Sequence, residues 1–396
     1  MKKVLIIGAG FLQAFVIKRA RDLGYLAYAV DGNPNAVGRI YADCFEAINI
    51  VDSEACLAFA KKHNVDGVLT AATDYGVLTA SRIAAEMGLN GISQEAARLV
   101  KNKYLVRKCL FENDVDDTEQ AFMVREDTDI DALAEKIRFP VMVKPCDGSG
   151  SRGAGRVDSA EALRAACEFA MDSSITHSAT VETFIVGEEY GIESFVENGN
   201  VYVLAVMKKR MTAPPYYAEL GHAIPSGLDS TVEEKVKKCA EKAINALGIN
   251  FGSVNMDALV TADGKVHIVD IGARMGGNLI GSHIIPIGKG IDYMGNMIKA
   301  AVGDAADFTP NGGKTVATSL LALTSGVVKT LPDFEKIQRE HGVIIEQHLH
   351  IGDKITPYRT NLDGCGYVVA CGDEIEENIK KVEQVKALID KAIVRE

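Results

Sequence analysis

The chain has 396 residues, with 43 Lys and Arg against 54 Asp and Glu, a formal net charge of −11, and 47% hydrophobic and 24% charged residues. This mixture excludes a disordered chain, and the absence of repeats excludes a fibrous one. The acidic balance argues against nucleic acid or an anionic membrane surface as partner, and the length points to two or three domains. In chain order, residues 4–7 predict a strand, 12–23 a helix and 26–30 a second strand closing on Asp31. Gly8, Gly10, Gln13, Lys18 and Arg19 arrive too soon for a signal peptide. Residues 53–63, 67–70 and 75–87 read as helix, strand and helix. Such alternation builds βαβ units on a parallel sheet, so residues 1–95 are expected to form a Rossmann-like α/β domain.

Residues 93–111 read as one basic helical stretch. A strand at 139–144 runs into the glycine-rich 147–153, followed by a helix at 159–171 and strands at 180–185 and 190–197. A helix at 231–247 leads to strands 252–260 and 265–271, joined by the turn Ala262-Asp263-Gly264. From about 310, strands at 342–350 and 366–371 and an amphipathic helix at 374–393 predict a smaller α+β region. No stretch reaches the roughly 18 to 20 apolar residues of a membrane span. The eight cysteines are scattered without a Cys-x-x-Cys pair, so neither a zinc site nor a disulfide framework is expected, and the location read from them is cytoplasmic.

Two glycine-rich turns carry different messages. Gly8-Ala9-Gly10 with Asp31 is a partial dinucleotide fingerprint, but its third glycine position is Gln13. A tight βα turn with another ligand at the strand ends is therefore preferred over NAD. The second loop follows Lys144, and Gly148, Ser149, Gly150 and Ser151 could close their backbone N–H groups over phosphates. It lacks the Gly-Lys-Ser/Thr ending of a Walker A loop, and a flexible hairpin is its plainer reading. Asp257 and Asp270 lie on strands joined by one turn. Facing carboxylates repel unless a cation separates them, and magnesium accepts one or two carboxylates beside phosphate oxygens. Arg274, in Gly272-Ala273-Arg274-Met275-Gly276-Gly277-Asn278, would expose a guanidinium to an anion. Glu182 and Glu189 bracket an ordinary-looking hairpin, and His222 is a lone histidine. His348 and His350 read as surface or packing residues.

In this order the pieces resemble the ATP-grasp carboxylate–amine ligases. The resemblance implies a Rossmann-like domain at 1–95, a two-subdomain ATP-grasp region at 96–305 with its lid at about 110–180, and a C-terminal α+β domain at 306–396. It implies that Lys103 and Lys144 contact ATP phosphates, that Glu182 and the backbone at Phe184 and Ile185 meet adenine, and that Glu189 meets the ribose. Asp257 and Asp270 would hold magnesium, with manganese as alternative, and Arg274 would steady the reacting group. The family commonly carries Glu-x-Asn where this chain has Asp270-Ile271-Gly272; Asn278 or water would then stand in for the lost amide.

Glu219-x-x-His222-x-x-Pro225 followed by Arg274-x-x-Gly277 looks like the amino-acid ligases that make dipeptides. There the Glu, His, Arg and Gly positions line the amino-acid pocket. Gly8-Ala9-Gly10 and Asp31-Gly32-Asn33-Pro34 are similar to purine-pathway members, glycinamide ribonucleotide synthetase and the carboxyaminoimidazole ribonucleotide enzyme among them, which remain the alternative. Biotin carboxylase shares the layout. A nicotinamide oxidoreductase would leave Lys144, Asp257 and Asp270 unexplained, and a non-catalytic nucleotide-binding protein would not need Arg274. The expected activity is an ADP-forming ligation of a small carboxylate to a small amine through an acyl phosphate. Gly148, Gly150 and Gly153 would hinge a lid that excludes water, and His222 or Glu219 would accept the amine's proton. A homodimer is compatible with this layout.

Overall fold

Lys3–Ile7 lies inside a four-stranded parallel sheet, between Leu26–Asp31 and Gly67–Thr70, with Cys44–Ala47 beyond Leu26–Asp31. Val4 through Ile7 are fully buried because helices cover both faces. Val4 and Ile6 pack with Val16, Ile17 and Ala20 of helix Phe11–Asp22. Leu5 and Ile7, pointing the other way, meet Phe59 and Ile83 of helices Ser53–His63 and Val77–Met87. Cys44–Ala47 was not expected, since four partly exposed residues carry no apolar run. This computed structural model describes every residue except 119, 149, 151 and 215, so the expected phosphate contacts of Ser149 and Ser151 lie outside the described residues.

The stretch 93–111 forms two helices, Gln94–Val100 and Lys103–Glu112, rather than one. Asn102 between them is extended (φ −117°, ψ 104°), and its side chain accepts a hydrogen bond from Leu105 N at 3.1 Å. That cap starts the second helix and leaves Lys101 and Lys103 on either side of the break.

Residues 121–183 build a separate sheet in the order Ala121–Val124, Ala179–Thr183, Val141–Pro145, Gly155–Val157, packed against helix Ala160–Asp172. The glycine-rich loop links Val141–Pro145 to Gly155–Val157, so both its ends are held in one sheet. Its root is the buried Asp147, which accepts hydrogen bonds from Ser174 Oγ at 2.6 Å and from the Ile175 and Thr176 amides at 3.1 Å.

The third sheet has eight antiparallel strands. Their order is Val266–Gly272, Gly252–Val260, Glu188–Glu197, Asn200–Met211, Glu219–Ile224, Thr315–Leu320, Gly366–Gly372, Ile344–Gln347. Helix Ser230–Ala246 buries Val236, Ala240, Ala243 and Ile244 against one end, and helix Ile375–Ala392 buries Val382, Val385 and Ile389 against the other. The sheet therefore runs without interruption through the division expected at 305/306. Among the described residues no helix is long and apolar enough to cross a membrane.

Candidate active site

The carboxyl end of the parallel sheet, the 147–153 loop and the large sheet enclose a cavity of about 570 Å³. Lys103, Gly148, Gly150, Glu219, His222, Asp257, Asp270 and Arg274 all line it, so the structure gathers eight of the expected site residues in one place. Gly150 and Gly153 hold φ of +68° and +75°, the left-handed conformation that glycine adopts without strain.

Asp257 and Asp270 stand directly opposite each other in the hairpin register, with a β-bulge just after Asp257. Each carboxylate is answered by a different lysine. Lys103 Nζ bonds Asp270 Oδ1. Lys209 Nζ, almost wholly buried, lies 2.7 Å from Asp257, 2.7 Å from Glu189 and 2.6 Å from Glu219. Burial pushes Asp257 up, and Glu189, Glu219 and Asp270 add to it, so its pKa reaches about 7 despite Lys209. For Asp270 the effect of burial is outweighed by Lys103, Lys144 and Arg274, which hold it below the ordinary carboxylate value. Four carboxylates (Glu189, Glu219, Asp257, Asp270) thus share two lysines. The excess of oxygen-donor negative charge fits a divalent cation such as magnesium. Among the described residues no three carboxylate, imidazole or thiol side chains converge on one metal position, so the remaining ligands would be phosphate oxygens and water.

Arg274 is held side-on. Its Nε and Nη2 lie 3.0 and 3.1 Å from the two oxygens of Asp74, and Nη1 donates to Asn255 Oδ1 at 3.1 Å. Burial disfavours the charge, but Asp74 outweighs it and the pKa is raised. Asp74 follows Gly67–Thr70, at the carboxyl end of the parallel sheet where α/β folds bind ligands. Its turn is tied to the Arg274 turn by Ala72 N donating to Met275 O at 3.0 Å, and Ala72 holds φ +55°. A side chain at position 272 would press on this ion pair: a Cβ there would stand 2.7 Å from Asp74 Oδ1. That accounts for Gly272. Asn278, expected to replace the missing amide, faces elsewhere; it donates to Glu219 and accepts from the Tyr367 hydroxyl at 3.1 Å. Asn255, opposite Gly272 in register, is the amide beside Arg274. Beneath the turn lies Glu193, fully buried, accepting from Tyr293 Oη (2.6 Å), Asn255 Nδ2 (3.0 Å) and Gly276 N (3.1 Å). Burial lifts its pKa to about 7.

Burial raises Glu219, but Lys209 and His222 overcome it and bring the pKa to about 2. Burial lowers His222 to about 4 although Glu219 opposes it, so the imidazole is neutral at pH 7. Its backbone N donates to Thr318 Oγ1 at 3.0 Å, while Nδ1 is buried without a partner among the described residues. Groups with such pKa values are weak bases. An ionised Glu219 is suited to holding an ammonium rather than deprotonating it.

The residues expected at adenine and ribose are not brought together: Glu189 belongs to the Lys209 cluster, whereas Glu182 pairs with Lys144. Lys144 Nζ bonds Glu182 at 3.2 Å and Val269 O at 3.0 Å. Phe184 has Arg156 over its ring at 4.6 Å. Lys144, Glu182, Phe184, Ile185 and Glu189 do not line the cavity itself. At the first glycine turn, Gln13 donates to Ala71 O at 2.6 Å and lies across Gly8 and Gly10, while Asp31 accepts from Ala9 N at 2.8 Å. The seat a pyrophosphate would need is filled by the protein. His348 is not a plain surface residue: it lines the cavity and packs 5.1 Å from the Phe11 ring.

Five site residues escaped the sequence reading: Asp74, Lys101, Glu193, Lys209 and Asn255. Lys101 lies over the Tyr75 ring at 4.5 Å and donates to Asp147 O at 3.3 Å, bridging the first domain to the glycine-rich loop. Strand parity did not mark Lys209, because Leu204–Met207 are buried on both faces and the exposed Lys208 shares parity with the buried Val206.

Comparison with known proteins bears on the domains and the fold. Residues 137–282 match the ATP-grasp domain, and residues 319–394 match L-amino acid ligase C-terminal domain 2. A D-alanine–D-alanine ligase of Cupriavidus necator is 29% identical over 206 residues, 49% of this chain and 61% of that enzyme. The chain thus spans under two thirds of that relative's length. The whole fold superposes on an L-amino acid ligase from Bacillus licheniformis with a TM-score of 0.84 at 21% identity, covering 100% of this chain and 99% of that one. Phosphoribosylglycinamide synthetase from Anaerococcus prevotii superposes with a TM-score of 0.77 at 24% identity and the same coverage.

Proposed function

For a chain that carries an ATP-grasp domain followed by an L-amino acid ligase C-terminal domain, we propose an ADP-forming carboxylate–amine ligase acting on amino-acid-like substrates. The observation that carries it is the cross-strand pair Asp257–Asp270, with Lys103 beside it and Arg274 facing the same cavity.

A carboxylate is a poor electrophile, since its oxygen is a prohibitive leaving group. In the proposed reaction a substrate carboxylate oxygen attacks the γ-phosphorus of ATP, the bond to the β–γ bridging oxygen breaks, and ADP departs. The unprotonated amine nitrogen then attacks the acyl carbon, the acyl C–O bond breaks, and phosphate leaves with the former carboxylate oxygen and takes up the proton that the nitrogen loses. Magnesium, when held by Asp257 and Asp270, would neutralise charge on the transferring phosphoryl group. Lys103, beside Asp270, and Lys144, beside Glu182, would exchange their carboxylate partners for phosphate oxygens. Asp74 fills the Nε/Nη2 edge of Arg274 and Asn255 takes Nη1, so an anion in the cavity would meet the guanidinium through the second N–H of Nη2 or by displacing Asn255. The 147–153 loop, rooted at Asp147, would exclude water from the acyl phosphate.

The purine-pathway alternative needs a site for a sugar phosphate. In the basic run Lys208-Lys209-Arg210, Lys209 is committed to three carboxylates and Arg210 to Glu383 and Thr318 O. This favours amino-acid substrates. ADP formation, measured as phosphate release with MgATP and paired amino acids, tests the reading. Turnover that requires two amino acids supports it; turnover with phosphoribosylamine and glycine but no amino-acid pair overturns it.

A further inference from the structure

The cavity is chemically two-sided. Asp74, Lys101, Lys103, Asp257, Asp270 and Arg274 make one side ionic. The described lining residues from 11–13, 277–280 and 348–367 include no carboxylate, lysine or arginine. Their apolar and aromatic members are Phe11, Leu12, Ile280, His348, Leu362 and Tyr367. The first turn of helix Phe11–Asp22 meets the far end of the large sheet here, with Phe11 on His348. Leu12 Cδ1 is 3.5 Å from where a Cβ on Gly277 would stand, so Leu12 closes over the glycine three residues beyond Arg274. Tyr367 is fixed through Asn278, and Asn278 in turn bonds Glu219. Glu219 therefore marks the border between the two sides.

We propose that the neutral side is a subsite for the side chain of the amino acid whose carboxylate faces Arg274, and that it takes uncharged, apolar side chains. This rests on the ligase reading above and adds the substrate class. With the carboxylate on the cavity side of Arg274, at the Nη2 hydrogen that Asp74 does not take, and the ammonium toward Glu219, the side chain is left to point over Gly277 at Leu12 and Tyr367. A charged side chain there would lose water without gaining a partner, whereas an aliphatic or aromatic one buries apolar surface on both protein walls. The same wall disfavours a sugar phosphate, which would find no cation.

The test measures kcat/KM for ADP formation across leucine, methionine, alanine, aspartate and lysine, and calorimetric binding of leucine and aspartate in the presence of ADP and magnesium. Wild type should favour leucine and methionine over aspartate and lysine at least tenfold. Leu12→Trp should lower the leucine-to-alanine ratio at least tenfold through KM, and Leu12→Asp should weaken leucine binding at least tenfold. Val51→Ser, at an exposed site outside the cavity, should leave the ratio unchanged. Thermal melting verifies that each variant is folded. A wild-type preference for charged side chains overturns the subsite, as do unchanged ratios and leucine binding in folded Leu12 variants; amino-acid-dependent ADP formation would then leave the ligase reading standing. Leucine binding that Leu12→Asp weakens, without ADP formation from any amino-acid pair, keeps the subsite and removes the ligase. Absence of both binding and turnover overturns the two together.

Discussion

Asp257 and Asp270 are the same residue type, opposite each other on neighbouring strands, yet their protonation is pushed in opposite directions. The difference lies in what else shares their countercharge. Asp270 has Lys103 to itself, with Lys144 and Arg274 nearby. Asp257 must share Lys209 with Glu189 and Glu219. A carboxylate's state here is set by the cluster around it, not by its nearest partner.

The largest test of this pairing is catalytic. Asp257→Asn and Asp270→Asn should each lower turnover by roughly 100- to 1,000-fold if both contact the phosphoryl-transfer machinery, as steady-state ADP formation would show. Near wild-type turnover in both variants would break the proposal. Next comes the shared lysine. Lys209→Met leaves three carboxylates around a buried position without their cation and should cost about 3 to 5 kcal/mol in urea unfolding.

The contrast extends to the groups behind each carboxylate. His222, beside the Asp257 cluster, is lowered from 6.5 to about 4, so its contribution to stability is present above pH 6.5 and is lost as pH falls toward 4. Glu193, beneath the Arg274 turn, is raised from 4.5 to about 7, so its contribution is present below pH 4.5 and is lost as pH rises toward 7. Each is on the order of 3 kcal/mol, with opposite sign. Relative to wild type, His222→Gln should lose stability more steeply as pH rises across this window, and Glu193→Gln less steeply. Unfolding midpoints measured across that range check both slopes; parallel curves for all three proteins would sink the assignment.

The smallest effects separate the two carboxylates without nucleotide. The Asp270 side chain faces the cavity and keeps 44% of its exposure, so solvent screens its pair with Lys103. Asp270→Asn should therefore cost about 1 kcal/mol, while Asp257→Asn, relieving repulsion, should raise the melting temperature. Asn102→Ala, which removes the cap that starts the Lys103 helix, should also cost about 1 kcal/mol.

Much of this architecture was legible from the chain. Helix Ser53–His63 and strands Gly67–Thr70 and Gly252–Val260 lie where periodicity put them, because their apolar residues face cores that local pattern reports. The facing of Asp257 and Asp270 followed from the short hairpin. The helix break at Asn102 was hidden by the continuous basic run around it, although a capping residue was in view. Asp74 and Glu193 could not be paired from sequence, since they meet Arg274 and Gly276 across 200 and 83 residues. Lys209 could not be told from its exposed neighbour Lys208 by strand parity, since Val206 and Met207 before them are both buried. The filling of the first glycine turn depends on where the Gln13 side chain lies, which no spacing rule encodes.

The unbroken eight-stranded sheet bears on how such enzymes can be recombined. Its first edge strand, Val266–Gly272, carries Asp270 and leads to Arg274, while its last, Ile344–Gln347, leads directly to His348. Both ends of the cavity are thus mounted on one hydrogen-bonded plate. A chimera joined at 305/306 would have to reproduce the seam between Glu219–Ile224 and Thr315–Leu320, where Ala223 pairs Ala317 and Ile224 pairs Val316. A slip of one residue there would exchange the two buried faces of the incoming strand, setting Val316, Thr318 and Leu320 where Ala317 and Ser319 pack, and would displace the apolar wall relative to Arg274. Exchanging residues 348–365, with strands Ile344–Gln347 and Gly366–Gly372 kept, leaves that registration intact and is the safer graft for altering which substrates enter.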